Sequence, residues 1–179
     1  AKVLLEKYPI PQYQARLLNN NGIGLYEEGN KKDASMLFRQ AVSHDSDNSA
    51  IIMNAGIAAH GLGRNRDAIL TGRHAIKKDR GNFRLWYVLG YLYLSMGKIE
   101  DAIEVMTKAQ EINPHNMDTH YSLAVCYYKN AQPAECTKEL SKAEKLSPPQ
   151  NALQHACVGI LSGKTNEALA QLKRSLEKG

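Results

Sequence analysis

No stretch of this 179-residue chain approaches the roughly 18 consecutive apolar residues that a membrane-crossing helix needs, so the sequence holds no transmembrane segment. Proline is sparse, with six residues, while hydrophobic residues make up 43% of the chain. That balance excludes a disordered, proline-rich protein and points to a folded, mostly helical one. Only three cysteines are present, Cys126, Cys136 and Cys157, and none has CxxC spacing. They read as buried free thiols in a reducing compartment, which favours the cytoplasm, with a Cys126–Cys136 bridge as the alternative. The chain opens Ala1-Lys2-Val3 without an initiating Met and stops at Lys178-Gly179, as a fragment of a longer protein does. The lack of a signal peptide is therefore uninformative.

Catalytic signatures are also missing. Catalysis needs a nucleophile or an acid–base pair held in a pocket. His44, His60, His74, His115, His120 and His155 lack the HExxH spacing of a metal site, and neither GxSxG nor GxxxxGK[ST] occurs. Gly61-Leu62-Gly63 follows a helical segment rather than a strand, so it is no phosphate loop. The expectation is a protein that is not an enzyme and needs no cofactor and no metal. A net charge of +5 permits an acidic partner but does not call for nucleic acid.

What is present is a period. Gly22, Gly56 and Gly90 stand 34 residues apart, as do Ala34, Ala68 and Ala102, and then Ala41, Ala75, Ala109 and Ala143. One supersecondary unit is written about five times and stacked, each copy burying its apolar face on the next. In the third copy Leu85, Trp86, Leu89, Leu92 and Tyr93 make a helical stripe, Gly97 breaks it, and Ala102, Ile103, Met106, Ala109 and Ile112 form the next. Asn113-Pro114 stops that second helix. Gly29, Gly63 and Gly97 mark the turn between helices; Ala131 replaces the glycine in the fourth copy, with Pro133 at the first turn of the following helix.

The copies fall at residues 15–48, 49–82, 83–116, 117–150 and 151–179, the last shortened by two residues. Residues 1–14 read as an N-terminal extension or helix stub, with Pro9 and Pro11 forcing an extended connection. Small residues inside helices, where glycine costs about 1 kcal/mol against alanine, imply that neighbouring helix backbones touch there.

Trp86-x-x-Leu89-Gly90-x-x-Tyr93, followed by Ala102, Ala109 and Pro114, resembles the tetratricopeptide-repeat signature in spacing and residue type. The first copy keeps Gly22, Ala34, Phe38 and Ala41; the fourth keeps Leu123, Tyr127, Ala143 and Pro148. The second departs most, with Ala59, Gly72 and Arg80 at positions where the family prefers tyrosine, a bulky apolar residue and proline. The resemblance implies an all-α, right-handed α-solenoid of about five helix-turn-helix repeats, whose first helices line a concave groove that holds a partner's peptide. Fold alone does not decide function.

On that frame the non-core stripes of the first helices are candidate contacts. Asn20 and Asn54 share one register and resemble two rungs of the asparagine ladder by which some members hold a peptide backbone. Tyr87, Tyr91, Tyr121 and Tyr128 are expected to project as an aromatic recognition patch, with Arg84 beside them for an acidic group or terminal carboxylate. The chaperone-binding members use a five-residue carboxylate clamp. Here only Asn54 and Arg84 match it, while Asn19, Ile23 and Val88 depart, so chaperone C-termini are not the expected ligand.

Arg66, Arg73 and Lys77 share the outer face of the second helix of the second copy, a stripe suited to phosphates, anionic lipid or acidic protein. Gly72 lies where that helix should carry a bulky residue, and Trp86 is expected to fill part of the space. The leading expectation is a non-catalytic adaptor or scaffold with a protein or peptide ligand. The alternatives are homo-oligomeric assembly within a secretion, transport or chaperone machine, and anion or nucleic-acid binding through the basic stripe.

Overall fold

The computed structural model describes residues 10–146 and Gly159. Residues 1–9 of the expected 1–14 stub, and the fifth copy apart from Gly159, with His155 and Cys157 in it, lie outside the described residues. Those described form helices and no strand: α1 (Ile10–Glu27), α2 (Lys31–His44), α3 (Ser49–Gly61), α4 (Asn65–Lys78), α5 (Phe83–Ser95), α6 (Ile99–Ile112), α7 (Met117–Lys129) and α8 (Pro133–Leu146). Helices α3, α5 and α7 begin 34 residues apart, and so do α2, α4, α6 and α8.

Asparagines start several of these helices. Asn48 accepts from Ile51 N at 3.3 Å, Asn116 from Thr119 N at 2.9 Å, and Asn82 from Arg84 N at 3.2 Å. Each satisfies a first-turn donor that the helix itself cannot. The hairpin turns share one geometry. Gly29, Gly63 and Gly97 take φ of +86°, +75° and +74°, and Ala131 takes +54°. The amide just beyond each reaches back five residues: Asn30 N to Leu25 O, Arg64 N to Ala59 O, Lys98 N to Tyr93 O and Gln132 N to Tyr127 O, all at 2.8–2.9 Å. This left-handed closure satisfies carbonyls at each helix end and turns the chain back.

Helix α1 starts at Ile10, so residues 10–14 are helical rather than an extended connection. Pro11 sits in the first turn, where its missing N–H has no partner to lose and its fixed φ suits the helix.

The chain divides into two compact units, one up to Leu92 and one from Tyr93 onward. In the first, α1 packs on α2, α3 on α4, and α3 also lies against α1 and α2. Ala34, Ala41, Ala68 and Ala75 are fully buried at the crossings. A Cβ added at Gly22 would come 2.8 Å from the Phe38 ring, and one at Gly56 would meet Ala68 O at 3.3 Å and Gly72 N at 3.5 Å. The backbones of α3 and α4 thus approach closely, as a glycine facing a glycine permits. The space at Gly72 is taken by Leu89 and Met53, not by Trp86. The indole instead donates Nε1–H to Arg80 O at 2.9 Å.

In the second unit α7 packs on α8 and α6 on α7. Ala102, Met106 and Ala109 are buried on α6, and Tyr121, Ala124, Cys136, Leu140 and Ala143 form a cluster between α7 and α8. Cys126 and Cys136 are buried free thiols, not a bridge.

Candidate functional site

A first helix in the middle of a stack touches its own hairpin partner and its neighbours, so only a narrow arc stays accessible. In the first unit that arc follows a single register. On α1 it is Arg16, Asn20, Ile23 and Glu27, all exposed. On α3 it is Ala50, Asn54 and Ile57, exposed to half-buried, and on α5 it is Arg84, Val88 and Tyr91. Ile23 is 37% and Tyr91 55% exposed, both high for large apolar side chains.

Asn54 donates Nδ2–H to Asn19 Oδ1 at 2.9 Å. The amide that meets Asn54 is therefore Asn19, not Asn20, which stays exposed one position on. One residue on a helix is about 100° of rotation, and adjacent helices need not present the same angle. The bond uses one donor of Asn54 and one lone pair of Asn19, and each amide has further hydrogen-bonding capacity. Arg84 is exposed, with its guanidinium 5.9 Å from the Phe83 ring centroid. Tyr87 is half-buried.

The tyrosines do not behave as one set. Tyr91 is exposed, and Tyr128 is 53% exposed at the end of α7 in the second unit. Tyr121, expected in the exposed patch, is only 4% exposed. Its ring belongs to the core cluster with Ala124, Cys136 and Leu140. Met117, Tyr121 and Ala124 form the i, i+4, i+7 stripe of α7 that packs on α8, and this removes Tyr121 from the candidate contacts. Met53, one period earlier than Tyr87, is buried in the same way.

The second unit also holds a buried polar cluster that no short motif announces. His120 Nδ1 lies 2.7 Å from Glu139 Oε2, and His120 Nε2 lies 2.9 Å from Pro114 O. Gln110 Nε2 donates to the same Glu139 Oε2 at 2.6 Å, and Lys142 Nζ donates to Oε1 at 2.7 Å. His120 Nδ1 also lies 3.0 Å from Gln110 Nε2; with the Glu139 carboxylate at Nδ1 and the Pro114 carbonyl at Nε2, each ring nitrogen has an acceptor within reach, as a protonated ring requires. The hydrogen bond to Glu139 raises the His120 pKa; burial opposes it, and the Pro114 carbonyl adds to it. Burial pushes the Glu139 carboxyl up, but hydrogen bonds from His120, Lys142 and Gln110 outweigh it and hold the group below its ordinary value. The cluster ties α6, the following loop, α7 and α8 together.

Arg66, Arg73 and Lys77 are all exposed on α4. Among the described residues, no three His, Cys, Asp or Glu side chains gather in a way that holds a metal ion, and no helix is long and apolar enough to cross a membrane.

The repeated hairpin defines an all-α helical-repeat solenoid, and comparison with known proteins agrees. Family models described as tetratricopeptide repeat match residues 93–157 and residues 71–104. The chain belongs to the tetratricopeptide-repeat superfamily. Among solved structures it is similar to TTC0263, a thermophilic TPR protein of Thermus thermophilus, at 20% identity and TM-score 0.75, over 91% of this chain and 90% of that one. It is also similar to MamA, residues 41 to the end, from Desulfovibrio magneticus RS-1, at 19% identity and TM-score 0.71, over 92% and 94%. A third likeness is to the first TPR of Spaghetti (RPAP3) bound to an HSP90 peptide, at 18% identity and TM-score 0.62, over 67% and 95%. No curated protein matches the chain.

Proposed function

We propose that this chain is a non-catalytic adaptor or scaffold whose first helices hold a peptide segment of a partner protein. One observation carries the reading. Ile23, Ile57 and Tyr91 occupy the same register of three successive first helices in one unit, beside the amides Asn20 and Asn54. An apolar row next to an amide row suits an extended chain, with alternate side chains on the apolar row and its backbone on the amides. Arg84 flanks the row with a charge for an acidic residue, and Tyr87 and Tyr91 offer large area for few rotatable bonds. Tyr128, on the second unit, is a separate exposed aromatic of the same kind.

The repeat of Spaghetti (RPAP3) is bound to the HSP90 peptide SRMEEVD, and it shares this fold. That supports peptide binding as a mode. It does not carry over the ligand, because Ile23 and Val88 stand where a carboxylate clamp needs polar and basic groups.

The test is photocrosslinking from position 91 in native extract, identification of the captured peptide, and titration of that synthetic peptide. Tyr87→Ala with Tyr91→Ala should weaken its binding by at least about tenfold with helicity unchanged. Unchanged affinity would sink the reading. The peptide SRMEEVD should show no saturable binding in fluorescence anisotropy, and micromolar binding would restore the clamp.

A further inference from the structure

We propose that a second copy of this chain docks on the outer stripe of α4, using the acidic outer stripe of its own α6 laid antiparallel. Arg66, Leu70, Arg73 and Lys77 follow i, i+4, i+7, i+11 spacing and are all exposed, so they form one stripe along α4. Leu70 is 58% exposed in the middle of it. The pattern recurs one repeat earlier, where Lys32, Met36 and Arg39 stand in the same positions on α2 and Met36 is 56% exposed. Two apolar side chains are thus held out between cations in consecutive repeats, outside the buried core of the described residues. They fit a partner that is acidic and has some apolar surface.

The chain itself carries such a surface. One period after the α4 stripe, α6 presents Glu100, Glu104, Thr107 and Glu111 in the same register, with acids where α4 has Arg66, Leu70 and Lys77. All three glutamates are exposed. Along α4 the cations are spaced seven residues and then four; along α6 the acids are spaced four and then seven. Run antiparallel, the two spacings coincide at intervals of about 10.5 and 6 Å, which pairs Arg66 with Glu111, Arg73 with Glu104 and Lys77 with Glu100. Run parallel, they fall out of step.

Leu70 then faces Thr107, whose hydroxyl is already donated to Ile103 O at 2.7 Å. Beside it lies the aliphatic stem of Lys108, whose ammonium is held by Glu111 Oε2 at 2.8 Å. Cation and acid stripes lie on different helices, so the contact is heterologous: every copy has one face to offer and another to receive. Anionic lipid and nucleic acid would meet the same cations, but neither explains a matched acidic stripe.

Sedimentation of the full chain over a concentration series tests this. Self-association should appear at low ionic strength and fade toward about 0.5 M salt. Arg73→Glu and Glu104→Arg should each weaken it by at least about tenfold with helicity retained. An equimolar mixture of the two variants, or both changes in one chain, should recover it, while Tyr91→Ala should leave it untouched. A wild-type chain that stays monomeric at low salt overturns the proposal, as does association indifferent to either charge reversal or a mixture that fails to recover. Salt-sensitive adsorption to anionic phospholipid vesicles or to nucleic acid, without self-association, also overturns it.

Discussion

The His120 ring and the Glu139 carboxylate meet at 2.7 Å in a buried part of the second unit, on helices nineteen positions apart in sequence. The ring bridges that carboxylate to the Pro114 carbonyl, so the charged form makes two hydrogen bonds where the neutral ring can donate only one.

This pair makes stability depend on pH. His120 is raised in the folded state, so its contribution is fully present below the unfolded value of about 6.5 and is lost as pH rises through the folded value. Glu139 is lowered, so its contribution is present above the unfolded value of about 4.3 and is lost as pH falls through the folded one. Stability should therefore peak between those two unfolded values. Urea denaturation should give a higher midpoint near pH 5.5 than near pH 8.5, and His120→Gln should flatten the alkaline side of the profile. A wild-type midpoint that does not fall on the alkaline side contradicts the assignment.

Tyr121 and Tyr91 should separate core from surface. Tyr121→Ala removes a buried ring from between α7 and α8 and should cost about 3–5 kcal/mol. Tyr91→Ala, on an exposed arc, should change stability by less than about 0.5 kcal/mol. Chemical denaturation of both variants decides; comparable losses would mean that the arc on α5 is occupied.

The hairpin turns predict a gain. Ala131 holds the left-handed conformation that glycine holds in the three preceding turns. Relief of that strain outweighs the extra chain entropy of glycine, and Ala131→Gly should stabilise by about 0.5–1 kcal/mol. Gly97→Ala should destabilise by a similar amount. Thermal melting checks both, and a lower midpoint for Ala131→Gly would contradict the strain argument.

Cys126 and Cys136 should be inert in the native protein. Burial raises the Cys126 pKa to about 11 and that of Cys136 in the same direction. Cys126 Sγ also lies 3.8 Å from Met106 Sδ. Their reaction with an aromatic disulfide reagent near pH 8 should therefore follow unfolding, rising steeply across the denaturation midpoint. Fast labelling of either thiol in the folded chain would contradict its burial.

Much of this molecule was legible before any coordinates. The 34-residue spacing, the glycines at the turns and the alanines at the crossings are local consequences of backbone conformation and helix contact, and each leaves its mark at a fixed place in the repeat. The basic stripe on α4 was legible for the same reason, since i, i+4, i+7 spacing is a property of one helix alone. The candidate groove was only partly so. Asn20 and Asn54 share a register, yet Asn54 bonds to Asn19, and Tyr121 turns into the core while Tyr91 does not. Those outcomes depend on how far one helix is rotated against its neighbour, and a shift of one residue moves a side chain through about 100°.

The His120 cluster shows the same division from the other side. Gln110, Pro114, His120, Glu139 and Lys142 carry no common motif, and each alone reads as an ordinary polar or turn residue. Sequence by itself settled that the chain stacks helical hairpins, because periodicity is written residue by residue. Only the tertiary structure decided which polar groups are buried together and which side chains remain on the accessible arc. Burial is a property of several helices at once, and the charges on His120 and Glu139 are tolerable inside because they meet each other across α7 and α8, with Gln110 arriving from α6, the Pro114 carbonyl from the loop after it and Lys142 from one turn along α8.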